Sequence, residues 1–195
     1  MREQLYQSGS DPPSISGVAT AQEPSREQLA RREAALARVR KYGDPALRAT
    51  ALPVATVDAA VREQIRAMRA LLEDAMEAGL AATQLGIMNR VIVYRADPES
   101  PIRALVNPAL EWAAEETELA EEGCLSIPGI WIGVERPARV RVRGLDEHGE
   151  PVAIEADMPE ARVLQHELDH LDGILTLDRT TQAERRAALR ELGRR

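Results

Sequence analysis

The segment Gln165-His166-Glu167-Leu168-Asp169-His170 contains the pattern H-E-x-x-H, and it constrains the fold more than any other feature of the chain. A helix turns by about 100° per residue, so His166 and His170 fall about 40° apart on one face, where two imidazoles can share a metal ion. Glu167 lies about 60° from His170 by the same arithmetic, close enough to serve a water that the metal activates without being a ligand. Apolar residues at Ala161, Leu164, Leu168 and Leu171 mark a neighbouring face. Such a helix must pack into a core through one side and open into a cleft through the other. The remaining histidine, His148, sits in the charged turn Asp146-Glu147-His148-Gly149 and reads as a solvated turn residue.

Around this helix the pattern is mixed. Val61, Ile65, Met68, Leu72 and Met76 predict an amphipathic helix within 57–78, ended by Gly79. Segments 90–95 and 102–106 read as one hairpin across the turn at 97–101, and 138–145 with 151–156 as a second. Asp157 as N-cap and Pro159 in the first turn are expected to open the H-E-x-x-H helix, and Gly173 to close it. Thr181 and Glu184 make a capping box that starts a short Arg-rich helix reaching about Leu192. Strands followed by helices indicate an α+β class, with antiparallel β-sheets packed around a central metal-binding helix in a single domain. Residues 1–35, polar and Pro-containing, read as a disordered N-terminal extension, 36–180 as the catalytic domain, and 181–195 as a C-terminal helix or tail.

Composition sets the limits on partners and location. No run of eighteen apolar residues occurs, which excludes a spanning helix, and the first thirty-odd residues hold no apolar block for a secretory signal, so a cytoplasmic location is expected. A net charge of −7 argues against a broad nucleic-acid surface and against DNA as a partner. The one cysteine, Cys124, cannot form an intramolecular disulfide and suits a reducing compartment in which a thiolate survives.

A catalytic site of this type needs a third protein ligand and a fourth position open to water. No histidine follows His170, so the choices are a downstream carboxylate, Glu184 or Glu191 on the Arg-rich helix, or Cys124 upstream. Cys124 lies in Glu122-Gly123-Cys124-Leu125-Ser126-Ile127-Pro128, where Gly and Pro imply an irregular, close-packed segment. The residues by themselves leave both choices open.

Three segments taken together resemble the signature motifs of peptide deformylases, in that family's order: Gly79-Leu80-Ala81-Ala82-Thr83-Gln84, Glu122-Gly123-Cys124-Leu125-Ser126 and Gln165 to His170. The resemblance extends over roughly Val39 to Arg179 and takes in Lys41-Tyr42-Gly43-Asp44-Pro45, similar to the family's usual domain start. It implies that Cys124, His166 and His170 are metal ligands, that Glu167 is the acid/base, and that Gln84 and Leu125 surround the substrate carbonyl. It also implies that substrate backbone runs along Gly79 and Leu80 like an added strand, with Leu125 and Val163 walling a slot for methionine. The implied metal is ferrous iron, with zinc, nickel or cobalt as substitutes, and the implied substrates are N-formylmethionyl nascent peptides. Family members act near the ribosomal exit, where Arg185, Arg186, Arg190, Arg194 and Arg195 would supply a local contact. One departure stands out: Glu77, followed by Ala78, holds the place of a further glycine, which bears on the shape and polarity of the loop bordering the cleft. Glu122 and Arg136 are candidates for a supporting ion pair.

Overall fold

The computed structural model describes residues 24–194. In chain order they form α1 (Arg26–Arg38), α2 (Ala59–Ala75), β1 (Gly79–Ala81), β2 (Val91–Tyr94), β3 (Arg103–Ala113), β4 (Thr117–Cys124), β5 (Ile127–Pro137), β6 (Arg139–Leu145), β7 (Pro151–Asp157), α3 (Glu160–Leu171) and α4 (Gln182–Leu192). Five strands make one antiparallel sheet in the order β1-β2-β3-β6-β7, and β4 pairs with β5 in a separate hairpin. This is the expected α+β arrangement. The part of the expected extension at residues 1–23 lies outside the described residues.

Helix α3 lies between the two sheets. Its Ala161, Leu164, Leu168 and Leu171 share a core with Ile92, Tyr94, Leu105 and Val142 of the large sheet. On the opposite face of that sheet, Val91, Val93, Ala104 and Val106 pack with Val61, Ile65, Met68 and Leu72 of α2. Strand β2 is therefore buried on both faces, which is why its sequence is an apolar run rather than an alternation. A third cluster joins Ile130, Ile132 and Val134 of β5 to Leu175, Leu177 and Ala188, so that α4 is docked on the hairpin.

Several elements depart from the sequence expectation. Helix α1 begins at Arg26, inside the stretch read as a disordered extension. Its local signal is a capping box between Ser25 and Gln28, and it is held by Ala35, Leu36 and Val39 packing against the α2 core. Helix α2 ends at Ala75, with Met76 as a left-handed cap at φ 59, and not at Gly79, which begins β1 instead. Met76, counted into the apolar stripe, is exposed. Strand β3 continues well past residue 106: Asn107 takes φ 53 and the register shifts between Val106 and Ala109, so Pro108 sits in a bulge where its missing N–H costs nothing. The helix carrying the histidines is capped at Pro159 rather than Asp157, because β7 keeps Asp157 paired with Arg139. Gly173 follows that helix at φ 72, and a Cβ there would meet the Arg48 carbonyl.

Candidate metal centre

The irregular segment expected around Cys124 is the tip of the β4–β5 hairpin. Cys124 pairs with Ile127, which leaves Leu125 and Ser126 as the two-residue turn. Lys41 Nζ donates to the Leu125 carbonyl at 3.1 Å and the Tyr42 N–H to the Ser126 carbonyl at 2.8 Å, so the 41–45 segment pins this tip from outside. The pinned tip carries Cys124 to α3. One ligand atom each from Cys124, His166 and His170 lies within 4.8 Å of the others, and Cys124 Sγ is 3.2 Å from His170 Nε2. Among the described residues no further His, Cys, Asp or Glu joins this set. Glu184 is held in the α4 cap by Thr180 and Thr181, and Glu191 lies on the same helix.

The donor set fits a divalent transition metal. Burial by itself would push the Cys124 thiol up, but the His170 and His166 imidazoles beside it reverse this and hold it well below the ordinary thiol range. His166 Nδ1 is 3.0 Å from Glu122 Oε2, which fixes the tautomer that leaves Nε2 free as a ligand. Burial opposes the charged form of His166, yet Cys124 and Glu122 together raise it well above its ordinary value. His170 Nδ1 is buried without a hydrogen-bond partner among the described residues. Two nitrogens and one sulfur, with a coordination position left open, are the ligand chemistry of a catalytic rather than a closed structural site.

Glu122 is itself locked in place. Arg136 Nε and Nη2 bind its two carboxylate oxygens, each at 2.9 Å, and Arg162 Nη1 adds a third bond at 2.9 Å. Arg136 Nη1 also reaches Asp169 Oδ2 at 2.6 Å, and Asp169 is paired again with Arg179. Burial would raise the Glu122 carboxyl, but Arg136 and His166 hold it well below the usual carboxylate range. Glu122 and Arg136, candidates for a pair in the sequence, are each only 4% exposed in their side chains. Asp169, Arg162 and Arg179 had no place in the sequence reading. Asp169 carried one usable signal, an ionisable residue in the middle of a helix whose other faces are committed to core and metal.

Glu167 is 3% exposed, and its Oε2 has no hydrogen-bond partner among the described residues. Burial pushes its carboxyl up to about 7, against the opposing pull of the His166 and His170 imidazoles. It faces β1 at very close range, since a Cβ added to Gly79 would stand 2.3 Å from Glu167 Oε1. Any side chain at that position would have to displace Glu167. Gln84 is 2% exposed; its Oε1 accepts from the Ala81 N–H at 2.9 Å, which turns its amide nitrogen toward Ser126 Oγ at 3.2 Å and Cys124 Sγ at 3.9 Å. Thr83 Oγ1 donates to the His170 carbonyl at 3.0 Å and ties this segment to α3.

Gly79, Gln84, Cys124, Leu125, Val163, His166 and Glu167 thus line one cleft of about 210 Å³, with Glu77, Ala78 and Glu121 to Gly123 around it. Two expected residues are not on its lining: His170, which is buried beside Cys124, and Leu80, whose side chain is fully buried in the α2 core, so that only its backbone is available to a substrate. Strand β1 is an edge of the large sheet, with β2 on one side and its other side unpaired among the described residues. His148 is exposed in its turn, as expected.

The profile of the polypeptide deformylase family matches residues 36–186 of the chain. The chain belongs to the polypeptide deformylase family. It is 48% identical over 148 residues to the peptide deformylase of Treponema pallidum (strain Nichols), covering 76% of this chain and 90% of the relative. The peptide deformylase of Parafrankia sp. (strain EAN1pec) is 43% identical over 154 residues, which cover 79% and 84% of the two chains. Among solved structures, a peptide deformylase from Synechococcus elongatus in complex with actinonin superposes with a TM-score of 0.75 at 40% identity, over 80% of this chain and 86% of the other. The peptide deformylase of Thermotoga maritima gives 0.71 at 40% identity, over 74% and 97%. As a deformylase the chain is a metal-dependent hydrolase that removes the N-formyl group from nascent polypeptides. No helix among the described residues is long and apolar enough to cross a membrane.

Proposed function

We propose that Cys124, His166 and His170 hold the catalytic metal of this deformylase, that Glu167 moves the proton, and that Gln84 and the Leu125 N–H receive the substrate carbonyl. The observation that carries this reading is the convergence of three ligand atoms within 4.8 Å beside a buried carboxylate that has an unpartnered oxygen. A divalent cation held by these ligands would lower the pKa of a water molecule and polarise the formyl carbonyl.

The chain's own residues supply the rest. Glu167 Oε2, an acceptor without a donor, takes the proton of the attacking water and returns it to the departing amine. A carboxyl raised by burial is basic enough to accept that proton and acidic enough to release it. As charge collects on the formyl oxygen, the Gln84 amide nitrogen and the Leu125 N–H act as fixed donors. The unpaired edge of β1 accepts the peptide backbone as an added strand, and Gly79 lets it approach. Val163 and Leu125, both at the cleft, wall the methionine side chain.

Formate release from formyl-Met-Ala-Ser, measured anaerobically with the iron-loaded protein, tests the assignment. Glu167→Ala should lower kcat by about 10²- to 10⁴-fold while metal stays bound, and Cys124→Ala should release the metal. Full activity in either variant would remove that residue from its role.

Iron is the physiological metal in this reading, with zinc, nickel or cobalt as replacements, and metal analysis of protein purified without air is its check. The ferrous ion and the thiolate ligand suit the cytoplasm, where the formylated chains are made. Docking of α4 on the hairpin leaves Arg186 and Arg190 exposed on the helix and Arg194 exposed just beyond it, while Arg185 is paired with Asp178 and Arg195 lies outside the described residues. These exposed arginines support a contact with ribosomal RNA; unchanged ribosome co-sedimentation after Arg186→Glu and Arg190→Glu would exclude it.

A further inference from the structure

Glu77, the residue that departs from the family motif, is not free in the cleft. Arg32 of α1 donates from Nη2 to Glu77 Oε1 at 3.3 Å and from Nε to the Ala75 carbonyl at 3.1 Å. The second bond satisfies a carbonyl that the end of α2 leaves without a helical partner. From the sheet side, Arg95 Nε donates to the Glu77 carbonyl at 3.0 Å, and the Arg95 N–H to the Ala78 carbonyl at 2.9 Å. Residues 76–78 are thus gripped from two sides, and they lead directly into Gly79 against Glu167.

The grip matters because of what lies beyond it. A second cavity, of about 690 Å³, is lined by Gln28 and Arg31 of α1 together with Met76, Pro98 and Pro159. It shares Glu77, Ala78 and Val163 with the catalytic cleft, so the two adjoin at the gripped loop. The catalytic cleft is the smaller of the two, at about 210 Å³. The residues lining the second cavity from α1 precede residue 36, where the family match begins.

We infer that α1 is the outer wall of a groove for the residues after formyl-methionine, and that Arg32 is a positioning residue that sets this groove through Glu77. The inference rests on the deformylase activity stated above and adds to it a binding region built from this chain's own N-terminal helix. Arg32 and Glu77 are 41% and 38% exposed in their side chains, and pairs so open to solvent contribute little to stability. Their loss should therefore be felt in peptide binding before it is felt in folding.

The test uses the full-length, metal-loaded protein with two substrates, the pentapeptide formyl-Met-Ala-Ser-Ala-Ala and the short formyl-Met methylamide. Arg32→Ala should raise KM for the pentapeptide by about threefold to tenfold, with kcat within about twofold and the short substrate unaffected, the signature of lost uniform binding. Arg32→Lys, which keeps charge and donor, should recover most of the loss. Glu77→Ala should raise KM like Arg32→Ala, and the double variant should be no worse than either single, because the two act as one unit. Pentapeptide Kd on a Glu167→Gln background, where substrate binds without turnover, gives the same comparison independently of rate. An unchanged KM and Kd in Arg32→Ala, an equal loss for both substrates, or additive single effects would each overturn the inference. Absence of formate from the wild type with the Kd pattern intact would instead count against the deformylase assignment alone.

Discussion

The two walls of the cleft are built on opposite principles. On one side, β4 and α3 are joined by buried ions: Glu122 and Arg136 are 4% exposed, and Asp169 is 10% exposed in its side chain. On the other, residues 76–84 are held by hydrogen bonds to their backbone groups, two of them from Arg95, by a glycine contact and by the half-exposed pair of Arg32 with Glu77. The first wall carries all three candidate ligands and has one arrangement that satisfies its charges. The second carries the substrate edge, and its fixings are of a kind that small changes in shape can survive. Metal geometry demands a rigid frame, whereas a nascent chain of any sequence demands a surface that adapts.

The sharpest way to break this contrast is to remove a charge from each wall. Arg136→Met takes the two-pronged partner from buried Glu122 and one of two partners from Asp169, leaving them to Arg162 and Arg179, and should cost about 3 kcal/mol in chemical denaturation; Arg32→Ala on the other wall should cost no more than about 1 kcal/mol. Equal losses would end the distinction. Next in size is Gly79→Ala, whose Cβ would collide with Glu167 Oε1. Displacing the proposed base should lower kcat by on the order of 10²-fold while metal content, read by elemental analysis, stays unchanged because none of the proposed ligands moves. Loss of metal in that variant would mean that the second wall also sets the ligand frame. Glu122→Gln should be milder, lowering metal affinity by about 10- to 100-fold through the orientation of His166, as measured by competition with a chelator.

A smaller effect is expected from pH. In its proposed role Glu167 must be ionised to accept a proton, so kcat/KM should be lost as pH falls through its pKa. Burial raises that value to about 7, and a cation nearby pulls it back down, so the acid limb of the loaded enzyme should lie below about 7 and should vanish in Glu167→Gln. A limb that persists in that variant would belong to another group.

The same contrast explains what could be read from the sequence. The histidine pair, its neighbouring glutamate and the apolar face of α3 follow from helical periodicity, which is local, and the structure has them as expected. Cys124 could be singled out from the residues only as one candidate, since its partners come from a different element; its motif, not its spacing, favoured it. The β4–β5 hairpin was hidden because Gly123, Pro128, Gly129 and Gly133 break the alternation that marks a strand. The Glu122–Arg136 pair was a candidate in the sequence, but its burial and its extension to Asp169, Arg162 and Arg179 were hidden for a deeper reason. A buried arginine looks in sequence like a solvated one, and only the placement of Glu122 and Asp169 around Arg136 makes it interior. Helix α1 escaped notice because it buries a narrow face, Ala35 alone within the helix, so its periodicity is faint.

Cys124 and His170 stand 46 residues apart in the chain and touch at 3.2 Å only when the hairpin tip has closed on α3. The two histidines meet as soon as one helix forms, whereas the thiolate arrives with the tertiary structure. With the proposed ligand set, an unfolded or half-folded chain offers a metal ion only two of the three ligands in one place, and the ion would bind the finished state in preference to all others. Each loaded molecule is in that sense a molecule that has completed its folding, and the ion that serves the reaction also weights the folding equilibrium toward the native state.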